Sequence, residues 1–324
     1  MLKLYHPRLN NPNNMLQILS VIAPLFLIIF ATALLQKFKN IGEDWSKVLN
    51  EFALKIGLPA LIFSALAKTS FSFKQEEILL ILSNSLFLLV SFALAIIIVK
   101  ILRLNKQMAM TLFICFGFSN IAYLGIPVLT QIAGVKIIPV ASLIVAVYLL
   151  WQFTVGTGYL EYCFDKNKKN IIRDFLKGLV KSPLLLAVFF GITVSAIGIT
   201  LPEVLLKSLD MISASVTPTV LVVIGLFIGK SKIGKLTEWV PVFLFSLVTL
   251  AALPSMFYFG ARFFGFDPSR FSSSIIEAAM PLAITPFALA DRYNLNKDFI
   301  SRSIVLSTIL SVVSLPFWIS ILAK

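Results

Sequence analysis

Long blocks of apolar residues, separated by short gaps rich in Lys and Arg, run from residue 15 to the end of the chain. A helix needs roughly 20 apolar residues to cross the hydrocarbon core of a bilayer. On that measure the pattern predicts ten helical spans, at about 15–36, 48–67, 78–99, 108–133, 137–162, 183–200, 204–229, 239–261, 271–291 and 299–322. The gaps leave no room for a separate soluble domain. In the widest gap, 163–182, Ile171, Ile172, Phe175, Leu176, Leu179 and Val180 recur at helical spacing. Lys169, Arg173, Lys177 and Lys181 fall largely between them, which predicts an amphipathic helix lying in the membrane interface.

The expected organisation is therefore a polar N-terminal tail (1–14), a first five-helix repeat (15–162), a cytoplasmic interfacial linker (163–182) and a second five-helix repeat (183–324). An odd number of spans per half starts the second half from the opposite face, so a repeat relating the halves is inverted. The fold class expected is an all-α integral membrane protein of ten transmembrane helices in two inverted five-helix repeats.

Matching interruptions mark the two halves. Span 2 carries Pro59 and span 7 carries Pro218. Span 4 reads Phe118-Ser119-Asn120-Ile121-Ala122-Tyr123-Leu124-Gly125-Ile126-Pro127, and span 9 reads Met280-Pro281-Leu282-Ala283-Ile284-Thr285-Pro286-Phe287. Proline lacks a backbone donor and clashes with the preceding turn, yet suits the first turn of a new helix. Pro127 and Pro286 are thus expected each to start a second half-helix. A broken helix is tolerated at membrane depth only where protein or a watery cavity covers the freed backbone groups. Freed N–H groups carry the positive helix end, so two breaks crossing at the midplane make a donor-rich pocket suited to a carboxylate.

Composition agrees with a membrane protein. Of 324 residues, 58% are hydrophobic and 13% charged, and the mean hydropathy is +0.94. Soluble domains hold about 45–50% apolar and about 25% charged residues. The net charge of +13 sits in the gaps, where it reads as a topology signal and lipid contact rather than as a nucleic-acid surface. With the N-terminus outside, the inner segments hold seventeen Lys and Arg and the outer segments nine. The bias predicts a cell-membrane protein with both termini extracytoplasmic.

Cys115 and Cys163 form no disulfide framework or CxxC pair, and the only histidine, His6, lies in the tail. This argues against histidine acid–base chemistry or a His-ligated metal, and no cofactor is expected. The chain also lacks HExxH and any nucleophile–histidine partnership, which weighs against an intramembrane enzyme.

The candidate substrate-binding residues are Asn120, Tyr123, Gly125, Pro127, Pro281, Thr285 and Pro286. The Asn120 amide is expected to bond substrate or a freed carbonyl, Gly125 to allow close backbone approach, and Tyr123 to face substrate or lipid. Ionisable residues inside spans are functional suspects by default. Lys55, a turn before Pro59, is a candidate cavity charge that also has the length to snorkel. Glu277, a turn before Pro281, is a candidate carrier of a coupling proton. Asp210 is a further candidate coupling or cavity charge; it and Arg302 are expected near the interface or paired in the bundle, and Gln152 as a lining residue or helix glue.

Asn120-Ile-Ala-Tyr-Leu-Gly125-Ile126-Pro127 resembles the fourth-span motif of the auxin efflux carrier family. Met280-Pro281-Leu-Ala-Ile-Thr-Pro286-Phe-Ala-Leu-Ala-Asp-Arg-Tyr293 resembles its ninth-span motif, and Leu58-Pro59-Ala60-Leu61-Ile62-Phe63 its second-span sequence. The resemblance covers essentially the whole chain. It implies a scaffold domain and a transport domain, with spans 4 and 9 crossing at the substrate site. It also implies transport of small organic anions, such as malate, malonate or auxin-like acids. The chain lacks the long central hydrophilic loop of the long plant carriers. Partners expected are a small organic anion and the bilayer, with a homodimer as the candidate assembly. Alternative readings are a bile-acid-type sodium symporter, a sodium/proton antiporter-like transporter, and a non-transporting membrane sensor or scaffold.

Overall fold

The computed structural model describes residues 15–39, 41–69, 75–164, 182–231 and 234–323. The tail 1–14 and nearly all of the linker 163–182 lie outside them. Within the described residues all regular structure is helical. Seven helices are long and apolar enough to cross a membrane: Met15–Lys39, Asp44–Ala67, Gln75–Ile101, Val135–Cys163, Glu203–Lys230, Leu236–Phe263 and Lys297–Leu322. The other apolar stretches are shorter or broken.

In chain order the helices are α1 (Met15–Lys39), α2 (Glu43–Phe52), α3 (Leu58–Ala67), α4 (Gln75–Ile101), α5 (Lys106–Gly117), α6 (Ile126–Ala133), α7 (Ile138–Trp151) and α8 (Thr157–Phe164). There follow α9 (Pro183–Ile197), α10 (Glu203–Ala214), α11 (Val216–Lys230), α12 (Trp239–Leu247), α13 (Leu253–Phe263), α14 (Ser272–Ala278), α15 (Thr285–Tyr293) and α16 (Lys297–Leu322). Side-chain caps start several of them. The Asn105 Oδ1 accepts from the Met108 N–H at 2.9 Å, and the Asn296 Oδ1 from the Phe299 N–H at 3.0 Å.

Three of the mid-span prolines share one local effect. Each of the π-helical turns Ala53–Gly57, Ile121–Gly125 and Val248–Ala252 is followed, two residues on, by a proline: Pro59, Pro127 and Pro254. A proline cannot donate to the carbonyl one turn back, and its ring pushes that carbonyl aside. The backbone answers by widening locally to the π register, a common bulge in membrane and functional helices. This corrects the expectation for Pro127. Helical backbone continues from Ile121 through Gly125 into α6, so Pro127 does not start the half-helix. The chain breaks instead at Phe118–Asn120, where Phe118 (φ −118°, ψ 65°) and Asn120 (φ −82°, ψ 55°) leave helical space. Pro286 does sit in the first turn of its half-helix, α15.

The densest helix packing falls in two groups, which meet where α1 also packs on α16 and where α3 and α9 also pack on α7. In one, α1 lies along α11, and α3 packs on α9 and α10. Close approach there depends on Gly225 and Gly229 of α11. A Cβ on either would fall 2.4 Å from a backbone carbonyl of α1, that of Ile29 or Ala33. Small residues four apart on an apolar helix form such a contact face within membranes. In the other group, α4 packs on α5 and α7, and α16 carries α12, α14 and α15.

Candidate functional site

The two interrupted stretches meet at their breaks. Ser119 and Leu282 pair as an antiparallel bridge. The Asn120 N–H donates to the Pro281 carbonyl at 2.7 Å, and the Ala283 N–H donates to the Phe118 carbonyl at 2.8 Å. Each break thus supplies the main-chain partner that the other lacks, which answers the hydrogen-bond demand of non-helical backbone in an apolar surrounding.

Side chains from neighbouring helices satisfy further main-chain groups. Gln152 Nε2 donates to the Gly117 carbonyl at 2.9 Å, and Ser91 Oγ to the Phe116 carbonyl at 2.7 Å. The Leu282 N–H donates to Ser307 Oγ at 3.1 Å. Gln152 therefore acts as glue between helices. The Asn120 carbonyl accepts from the N–H groups of Leu124 and Gly125, which sets the first turn of the second half-helix. The Asn120 amide side chain is 5% exposed and bonds to no described residue.

Beside the crossing lies a cavity of about 1020 Å³. Its walls are α3 and α10 on one side and α4, α6, α7 and α14 on the other. Thr69, Lys136 and Arg270 line it together with Ile126, Leu143 and Ser274. Two ion pairs lie along it, each within one wall, while Glu77 Oε2 is buried without a partner among the described residues. Lys68 Nζ bonds both Asp210 oxygens, at 2.5 and 2.7 Å, and Ser64 Oγ donates to Asp210 Oδ1 at 2.9 Å. Arg270 Nη2 bonds Glu76 Oε1 at 2.7 Å.

Comparison with known proteins shows the family of the chain. A family model described as membrane transport protein matches residues 17–319. The chain belongs to that family. A Methanothermobacter thermautotrophicus protein named "Uncharacterized transporter" is 24% identical over 92% of this chain and 96% of its own length. A Rhizobium meliloti protein named "Putative malonate transporter" is 24% identical over 92% of this chain and 93% of its own. An Oryza sativa protein named "Probable auxin efflux carrier component 9" is 26% identical over 44% of this chain and 35% of its own. The resemblance to the auxin efflux carriers therefore stands, and the protein is a multi-pass membrane protein of a transporter family.

Within this family member the crossing brings together Asn120 and Pro281 through main-chain atoms, with Thr285 and Pro286 heading α15. Thr285 is exposed and Pro286 buried. Tyr123 faces protein rather than lipid: it is 8% exposed, and its hydroxyl donates to Asn50 Oδ1 of α2 at 2.6 Å. Gly125 lies against Glu277, for a Cβ at Gly125 would fall 1.9 Å from Glu277 Oε2. Glu277 itself is fully buried. Lys55 stands apart from both crossing and cavity, 64% exposed at its side chain and paired with Glu51 at 2.9 Å. Asp210 is paired, as described, on the cavity wall. Arg302 is paired with Glu238 at 2.7 Å, against the turn at Gly234.

Sequence reading missed Ser91, Ser307, Asn84 and Asn50. One signal was available: Ser303, Ser307 and Ser311 recur every fourth residue in an otherwise apolar span, and all three are fully buried. Such a stripe marks one helix face turned toward polar protein atoms.

Proposed function

We propose that this protein is a secondary transporter that moves small organic carboxylates across the cell membrane by alternating access. In this reading ten crossings form two inverted five-helix repeats, divided at 163–182. The group α1–α3 with α9–α11 is the scaffold, and the remaining helices carry the substrate site at the crossing. The observation that carries the reading is the joined pair of breaks beside a buried Asn120 amide that no described residue engages.

The chemistry follows from that geometry. An anion at the crossing meets the amide of Asn120 and the N-terminal ends of two half-helices, Ile121–Ala133 and α15, whose dipoles favour negative charge. These donors bind a carboxylate without a fixed positive charge, so release costs less than from a buried Lys or Arg. Pro281, Pro286, Gly125 and Pro127 shape the backbone there, and Thr285 adds a hydroxyl. The name of the Rhizobium relative supports a dicarboxylate of malonate size. Under the charge bias of the loops, the cavity opens on the extracytoplasmic side and is the substrate's entrance or exit.

The test is solid-supported-membrane electrophysiology together with radiolabelled counterflow on proteoliposomes. The panel is mono- and dicarboxylates and indole acetate. A saturable signal for one acid, lost in Asn120→Ala, is expected. Wild-type vesicles that exchange none of these acids overturn the reading.

A further inference from the structure

Glu277 takes no part in the substrate contacts proposed above, and its surroundings restrict what it can do. It is fully buried, and neither carboxylate oxygen has a hydrogen-bond partner among the described residues. Oε2 occupies the place where a side chain on Gly125 would begin. The carboxyl is therefore pressed against the turn that follows the first break, three residues before the second begins at Met280.

Each element packed on α14 brings titratable or charged groups, and none neutralises Glu277. On α4, whose Asn84 bonds Ser274, Glu76 is bound to Arg270 and Glu77 Oε2 is buried without a partner among the described residues. Tyr148 of α7 is close enough to interact with it electrostatically. Tyr123, in the turn Ile121–Gly125, gives its hydroxyl to Asn50. Arg270, in the 3₁₀ turn before α14, is bound to Glu76. On α13, Arg262 lies over the Tyr258 ring. On α16, Arg302 is bound to Glu238 and Lys297 to Asp291, while Asp298 is exposed.

A carboxylate without water or a counter-charge is among the costliest groups an interior can hold. One bound proton removes that cost. A metal cation in its place would need a shell of several oxygens, whereas Oε2 is backed by the Gly125 backbone. A residue of the cavity lining shares the helix face of Glu277. Ser274, one turn earlier, lines the cavity and bonds Asn84 Nδ2 at 2.8 Å, and Asn84 Oδ1 is buried with its acceptor unused.

We propose that Glu277 is the proton-carrying group of the transport cycle. It holds a proton in the conformation described here and releases it when the opposite conformation hydrates the carboxyl. Carboxylate movement is thereby tied to proton movement. This rests on the reading of the chain as a carboxylate carrier, and the test separates the two.

Wild-type proteoliposomes are assayed first for counterflow of the active acid, with no gradient imposed. They are then assayed for accumulation under an imposed proton gradient or an imposed sodium gradient, with a trapped pH dye reporting proton entry. The expected result is accumulation driven by the proton gradient, unchanged by sodium, with proton entry that requires the acid. In Glu277→Gln, accumulation and acid-dependent proton entry are expected to fall to the level of protein-free vesicles. Counterflow in wild type without proton entry, accumulation driven by sodium, or wild-type accumulation in Glu277→Gln each overturns the proposal while leaving the carrier reading intact. Absence of counterflow overturns both. The wild-type proton measurement decides the matter even where Glu277→Gln does not fold.

Discussion

Single residues in this protein earn their place mainly by what they do for the backbone. Gln152 is the plainest case, since its amide covers the Gly117 carbonyl at the break. Gln152→Leu keeps the bulk and leaves that carbonyl buried and unpaired, at a cost of about 1–3 kcal/mol. A lowered thermal midpoint of the detergent-solubilised protein is the expected outcome; an unchanged midpoint would show that water serves the carbonyl equally well. Gly125→Ala forces either the turn or Glu277 to move, since its Cβ would overlap Oε2. Overpacking of this kind costs about 1–3 kcal/mol. Adding Glu277→Ala removes the obstacle and is expected to recover most of the lost stability in the same assay. Asn120→Ala removes a donor to an anionic substrate, a bond worth about 1.5–3 kcal/mol, so the apparent KM for the acid is expected to rise roughly tenfold or more. A change in maximal rate alone would place Asn120 outside the substrate contacts.

Elements respond to sequence in a way that was only partly readable. The positions of the apolar stretches, the paired interruptions in spans 4 and 9 and the placement of Pro286 followed from hydropathy and proline chemistry. The site of the first break did not. Nothing in Phe118-Ser119-Asn120 announces non-helical backbone, because its geometry is imposed by Pro281 and Ala283 across the crossing. Pro127, the conspicuous residue, widens a turn instead. Lys55 misled for a similar reason. Its distance along the chain from Pro59 suggested reach into a cavity, while the π turn presents it outward beside Glu51. The α1–α11 contact was also hidden, since Gly225 and Gly229 matter only once the facing helix is known. Gly225→Leu is expected to prise these helices apart and leave little folded protein on size-exclusion chromatography, whereas substitution of the exposed Phe259 by Leu is expected to leave the elution profile unchanged.

At the scale of the whole molecule, the cavity lies between two helix groups, and each of its two ion pairs stays within one group. Lys68 and Asp210 belong to one wall, Arg270 and Glu76 to the other. No described ion pair spans the cavity, so narrowing it breaks none. Exposed pairs of this type contribute about 0–1 kcal/mol each, and Lys68→Ala is expected to shift the thermal midpoint little. Access to the cavity offers a direct check on alternating access. A cysteine placed at Thr130, in a background lacking Cys115 and Cys163, is expected to react with an impermeant maleimide from one face of the membrane only. Saturating substrate should change that rate, and labelling at equal rates from both faces would point to a continuous pore.

The joint between the two breaks is written in main-chain atoms: two amide-to-carbonyl bonds, one in each direction, between residues whose side chains take no part in them. Mutation can therefore exchange the side chains around the joint while the bonds themselves persist. A lineage built on this plan is free to retune which acid it carries, one residue at a time, without passing through an unfolded ancestor.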